Sequence, residues 1–171
     1  MATKSLHATK NKLSDPKEQL RLLSNGVFAA DELPLFTEKL KASQQFPLQA
    51  KAIEILQINV GYMCNQVCSH CHVDAGPDRK EIMTKETMQY CLDVIKTTGA
   101  HTLDLTGGAP EMNHNFRWFV EEASKIGIKD FIVRSNLTII RSNPKYYDLP
   151  EFFKKHNIHV GHKCPQDLQG H

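Results

Sequence analysis

Three cysteines fall within one short stretch, Cys64-Asn65-Gln66-Val67-Cys68-Ser69-His70-Cys71. Thiolates are soft ligands that suit iron–sulfur clusters, zinc and copper(I). A closed structural zinc site takes four protein ligands, and an electron-transfer iron–sulfur cluster is usually held by four cysteines. This loop offers three. A four-iron cluster seated on it would keep one iron for a ligand that is not protein, as a catalytic zinc site keeps a position for water or substrate. An open position of that kind points to chemistry.

Other uses of the same residues are open. With His70 as a fourth ligand the loop could hold zinc; His72 fits less well, because adjacent residues rarely both reach one metal. A disulfide framework fits poorly, since five cysteines is an odd number and no secretory signal precedes them.

Further stretches accompany the C-x3-C-x2-C loop: Asn59-Val60-Gly61 before it, His70-Cys71-His72-Val73-Asp74-Ala75-Gly76-Pro77 across its end, and Leu105-Thr106-Gly107-Gly108-Ala109-Pro110-Glu111 downstream. The loop resembles that of the radical S-adenosylmethionine (radical SAM) superfamily. Taken together the stretches resemble the arsenosugar-biosynthesis radical SAM proteins, over about residues 53 to 160 and most closely from Asn59 to Glu111.

The resemblance implies that Cys64, Cys68 and Cys71 hold a [4Fe-4S] cluster whose open iron chelates the amino and carboxylate groups of SAM. Reductive cleavage of the C5′–S bond would then give methionine and a 5′-deoxyadenosyl radical, with no catalytic side chain needed beyond the cluster and SAM. It further implies a cofactor-binding set of Gly107, Gly108, Glu111, Asn136 and His70. The glycine turn would offer backbone hydrogen bonds to the SAM amino group, where glycine permits close approach. A glutamate often follows the two glycines in the superfamily; here Ala109 holds that place and the acid comes at Glu111, which could equally begin a helix. His70 would pack beside the cluster, and Asn136 would contact the ribose or carboxylate of SAM unless it is simply a turn residue. In the narrower family the radical is captured by trivalent dimethylated arsenic. An electron donor such as flavodoxin or ferredoxin is the implied protein partner.

The composition is that of a globular domain. The 171 residues are 40% hydrophobic with a formal net charge of +2, too little for a nucleic-acid footprint. No stretch reaches transmembrane length, and reduced cysteines without an export signal lead us to expect a cytoplasmic protein.

The elements that must position the cysteines alternate. Residues 1–14 read as a mobile lysine-rich tail. A helix follows from Asp15-Pro16-Lys17-Glu18, with Glu18 placed for a capping box, apolar contacts from Leu20, Leu22 and Leu23, and Gly26 as its stop. Residues 27–51 are mixed and read as a lid. After the apolar run from Ile53 to Val60, read as a buried strand, and the cysteine loop, a helix over 84–98 carries Met88, Cys91, Leu92 and Ile95 at helical spacing before Gly99, which makes Cys91 a core residue. A strand at 101–106 and a helix with Phe116, Phe119, Val120, Ala123 and Ile126, capped by Asn113 or Asn115, come next. A strand at 131–133, a helix at 149–156 and the start of a strand at 158–160 complete the pattern. Asp104, inside the second strand, needs a partner the sequence does not name. Arg134 could pair with a carboxylate, a surface arginine being the commoner outcome, and His72, Asp74 and Asp78 read as a solvated face.

Repeated β–α units demand parallel strands and right-handed crossovers, with functional loops at the carboxyl ends of the strands. The cysteines, Gly107-Gly108 and Ser135-Asn136 all sit at such ends. The expected fold is α/β, a partial (β/α) barrel of the radical SAM type that stops after about three and a half units. We divide it into an N-terminal tail and helical extension at 1–50, the partial barrel at 51–160, and an irregular, truncated or aberrant end at 161–171 that carries Cys164. The activity that the resemblance implies is radical SAM chemistry on a small-molecule substrate such as a methylated arsenical. The alternatives are another radical SAM reaction, such as peptide or cofactor maturation, or a non-catalytic iron–sulfur or zinc protein.

Overall fold

The computed structural model describes residues 4–24, 35–68 and 71–162. Four parallel strands form one sheet in the order of the chain: β1 (Ile55–Asn59), β2 (Thr102–Thr106), β3 (Asp130–Ser135) and β4 (Ile158–His162). Before them lie α1 (Pro16–Ser24) and α2 (Phe36–Ala42). The crossovers are α3 (Lys85–Thr98), α4 (Phe116–Lys125), and the pair α5 (Thr138–Ser142) and α6 (Leu149–Lys155). Parallel strands joined through helices in chain order are what part of a (β/α) barrel requires.

Local sequence explains the crossovers. Thr84 caps α3 by accepting the Thr87 N–H, and Gly99 ends it in the left-handed conformation at φ 71°. The stripe Met88, Leu92, Ile95 is buried as the spacing predicts. Cys91 stands beside it, half-buried against the core, and burial pushes its thiol up, away from the thiolate a metal needs. On α4, Phe116, Phe119, Val120 and Ala123 are buried. They meet Ile58, Leu103, Leu105, Phe131 and Val133 from one face of the sheet, with Phe152 and Phe153 of α6 closing the layer.

The opposite face of the sheet is polar. Gln57 is level with Asp104 across the β1–β2 pairing, and Asp104 meets both Gln57 and Arg134 of β3. The Arg134 guanidinium donates to Asp104 at 2.8 and 3.0 Å, and the Gln57 amide donates to the same carboxylate at 2.6 Å. Asp104 therefore has its partner, and Arg134 is that partner rather than an isolated surface cation.

Other expectations change. Residues 5–7 of the expected tail are seated, not loose. Ser5 is buried and donates to Asp78 at 2.6 Å, while the backbone N–H groups of Leu6 and His7 donate to the two oxygens of Asp74. The reason is backbone demand: Asp74, at φ 49°, aims both carboxylate oxygens at an adjacent pair of N–H donors. Asp74 and Asp78 thus anchor residues 5–7, while Asp78 and His72 stay exposed as expected. In α1, Asp15 accepts the Lys17 N–H, but Glu18 bonds Arg21 at 2.7 and 2.9 Å instead of closing a capping box. Leu20 and Leu23 are exposed. Asn113 does not cap α4 itself. Its amide is buried and donates to the carbonyls of Val60 and Met83, bracketing the end of β1. β4 continues through Gly161 and His162. Gly26, Cys164 and the remainder of the chain end lie outside the described residues.

Candidate metal and cofactor site

The loop after β1 is built by backbone hydrogen bonding. Tyr62 donates to Glu81, Gly76 donates to Tyr62, and Cys64 donates to Gly76 at 3.3 Å, so the segment from 61 to 82 folds back alongside itself. Within it the Cys71 N–H donates to the Cys68 carbonyl and Asp74 donates to that of Cys71, a succession of tight turns. Arg79 is buried and holds the outer wall: it donates to the Asp74 carbonyl at 2.7 Å, pairs with Glu81, and lies over the Tyr62 ring.

The second turn, after β2, is pressed onto this loop. Gly108 donates to the Gly61 carbonyl and Ala109 to the Met63 carbonyl, each at 2.9 Å. A Cβ on Gly107 would overlap the Gly61 carbonyl oxygen, and one on Gly108 the Met63 carbonyl oxygen. The two glycines are thus required by a backbone-to-backbone junction, and the N–H of Gly108 is already used inside the protein.

The third turn, after β3, completes the site. The Asn136 side-chain amide donates to the sulfur of Cys64 at 3.4 Å and to Asn65 at 3.2 Å. Its oxygen accepts from the backbone and hydroxyl of Thr138. Asn136 is therefore both the turn residue and a wall of the site.

One cleft, about 560 Å³ including its open mouth, is lined by Cys64, Cys68 and Cys71 together with Gly107, Gly108 and Asn136. Gln66, His72, Val73 and Ala75 supply the rest of the wall. Cys64 is buried; Cys68 and Cys71 are half-buried. The Ala75 N–H donates to the sulfur of Cys71 at 3.3 Å. Hydrogen bonds to sulfur are the environment in which thiolates carry an iron–sulfur cluster, so the donor set fits one. Among the described residues, no three His, Cys, Asp or Glu side chains converge as they would around one ion.

One cofactor residue expected from the sequence, Glu111, is not in the cleft lining. Glu111 is buried in the 3₁₀ turn Pro110–Met112, outside the cleft lining, and accepts from Ser135 at 2.5 Å. His70 lies outside the described residues. The sequence reading missed Asn65, whose amide donates to Thr138 at 2.7 Å and so ties the cysteine loop to the third turn. The Asn136-Leu137-Thr138 spacing is an Asx-turn pattern, and that was the available signal.

Parallel strands thus bring a three-cysteine loop, a glycine turn and a polar turn together at one end of the sheet. A probable GTP 3′,8-cyclase of Sulfurisphaera tokodaii is 24% identical over 86 residues, covering 50% of this chain and 28% of that protein. One from Saccharolobus islandicus is 27% identical over 86 residues, and one from Methanothermobacter marburgensis 29% over 85, with the same coverage. The chain thus spans little more than a quarter of the length of these curated relatives. Such cyclases are radical SAM enzymes, and this distant, partial similarity supports the radical SAM superfamily; it lends no support to the arsenosugar family. No known family profile matches the chain. Among the described residues no helix is long and apolar enough to cross a membrane.

Proposed function

We propose that this chain carries the cluster- and SAM-binding half of a radical SAM enzyme. The observation that supports it most is the shared cleft: three cysteines from one loop face two glycines and an asparagine from the next two turns. Cys64, Cys68 and Cys71 would hold a four-iron cluster, supplying when reduced the electron that cleaves SAM to a 5′-deoxyadenosyl radical. The chain's own residues prepare the site. Asn136 and Ala75 give hydrogen bonds to two of the sulfurs, and the Gly107-Gly108 turn fixes the wall opposite the cysteine loop.

Anaerobic reconstitution tests the reading. The chain should take up about four irons and four sulfides, and Cys64→Ala, Cys68→Ala or Cys71→Ala should each abolish uptake while Cys91→Ala leaves it intact. Adding SAM should change the EPR spectrum of the reduced cluster. Stoichiometric zinc without cluster absorbance would reject the reading.

For the radical acceptor, the motif resemblance favours trivalent dimethylated arsenic, joined through a new carbon–arsenic bond. The name of the relatives favours a guanine nucleotide as the second reading. Incubating the reconstituted protein, SAM and reductant with each compound separately, and following the adenosyl group and the nucleotide by mass spectrometry, decides between them.

A further inference from the structure

We propose that Asn136 is a positioning residue for the Cys64 thiolate that raises the reduction potential of the cluster; the inference rests on the reading that Cys64, Cys68 and Cys71 hold one. The orientation of the Asn136 amide is dictated by its neighbours. The Thr138 backbone N–H can only donate, and it lies 2.9 Å from the Asn136 oxygen. That end must therefore be the carbonyl, which leaves the NH₂ end against the sulfur of Cys64 at 3.4 Å and the Asn65 oxygen at 3.2 Å. Asn65 in turn donates to the Thr138 hydroxyl, and that hydroxyl donates to Asn136. Three side chains close a ring in which each polar atom has its role, and a flipped Asn136 would set donor against donor.

A hydrogen bond to a cluster thiolate draws charge from the sulfur and so favours the more negative, reduced cluster. Cys71 receives such a bond from the Ala75 backbone N–H, which no change of side chain short of proline removes. The bond to Cys64 comes from a side chain and is adjustable. Asn136 stands at the end of β3, while Cys64 follows β1, so the donor reaches its sulfur only through the fold.

The test separates the donor from the turn. Asn136→Asp and Asn136→Ser both keep an acceptor for the Thr138 N–H, but the carboxylate cannot donate and the serine hydroxyl is too short to reach Cys64. Equal urea midpoints of the three apo chains establish that the turn is intact. The full chain and both variants are then reconstituted and titrated with EPR detection in the absence of SAM. The expected result is a lower midpoint potential in both variants. A fall in the Asp variant alone would mean that added charge, not the lost donor, moves the potential, and would overturn the proposal; so would unchanged potentials in both. Failure of the unsubstituted chain to take up a cluster would instead remove the reading beneath it.

Discussion

Gly108 and Met63 meet backbone to backbone. The N–H following Gly108 donates to the Met63 carbonyl, and a Cβ on Gly108 would overlap the same oxygen. Met63 directly precedes Cys64, so whatever displaces one displaces the other.

Gly108→Ala is therefore expected to lower stability by about 1–3 kcal/mol, the usual cost of overpacking, and also to lower cluster loading. Gly99→Ala is the comparison. Gly99 has open space around it and only its left-handed backbone to lose, about 1–2 kcal/mol. It should reduce stability without touching iron content. Urea unfolding and iron analysis on both variants check the contrast.

Removing the guanidinium in Arg134→Met takes two donors from a nearly buried carboxylate, Asp104, which keeps its bond from Gln57. We expect a loss of about 1–3 kcal/mol, the cost of depriving a buried polar group of its partners. Arg134→Met with Asp104→Leu should recover part of it, because an apolar pair leaves no charge to solvate. A double-mutant cycle by urea unfolding measures this.

Glu81 sets an acid response. The hydrogen bond from Arg79 is the main reason its carboxyl is lowered from 4.5 to about 2. A carboxyl lowered on folding stabilises the native state fully above its unfolded value, and loses that contribution as pH falls through the folded one. The wild type should therefore be more stable than Glu81→Gln above pH 4.5, with the difference closing as pH falls through about 2. Because the side chain is half-exposed, the difference should be small and should shrink in salt. Urea midpoints at several pH values, with and without added salt, measure both effects.

Much of this architecture was legible before any coordinates. The stripe through Met88, Leu92 and Ile95 with Gly99 behind it announced α3, and the strand ends gathered the cysteines, Gly107-Gly108 and Asn136. What was hidden depends on register and on distant pairs. Asp104 could not name Arg134, because thirty positions and a crossover helix separate them. Glu111 looked open to a ligand, yet one of its carboxylate oxygens accepts from Ser135, a residue with no local signature. The start of the chain looked like a loose polar tail because its anchors are backbone N–H groups, which sequence does not distinguish.

Those anchors give a further prediction. Asp74→Ala removes the acceptors for the Leu6 and His7 N–H groups and one contact of Arg79. Amides 6 to 11 and 72 to 79 should then exchange faster with deuterium, while those of α3 and β2 keep their protection. Unchanged exchange at Leu6 and His7 would show that Asp74 does not hold the chain start.

The turns around Cys64 and Cys71 are closed by bonds wholly within the polypeptide: Cys64 to Gly76, Cys71 to Cys68, Ala109 to Met63, Asn65 to Thr138. Their conformational entropy is surrendered as the sheet and helices assemble, through bonds that need no metal. A zinc finger is the opposite case, where the metal must drive the folding and its affinity is discounted accordingly. Under the proposed function, a cluster would meet turns that the polypeptide itself has already closed. Its release should likewise leave the barrel standing, so that loss and reloading of iron become events of exchange rather than of unfolding.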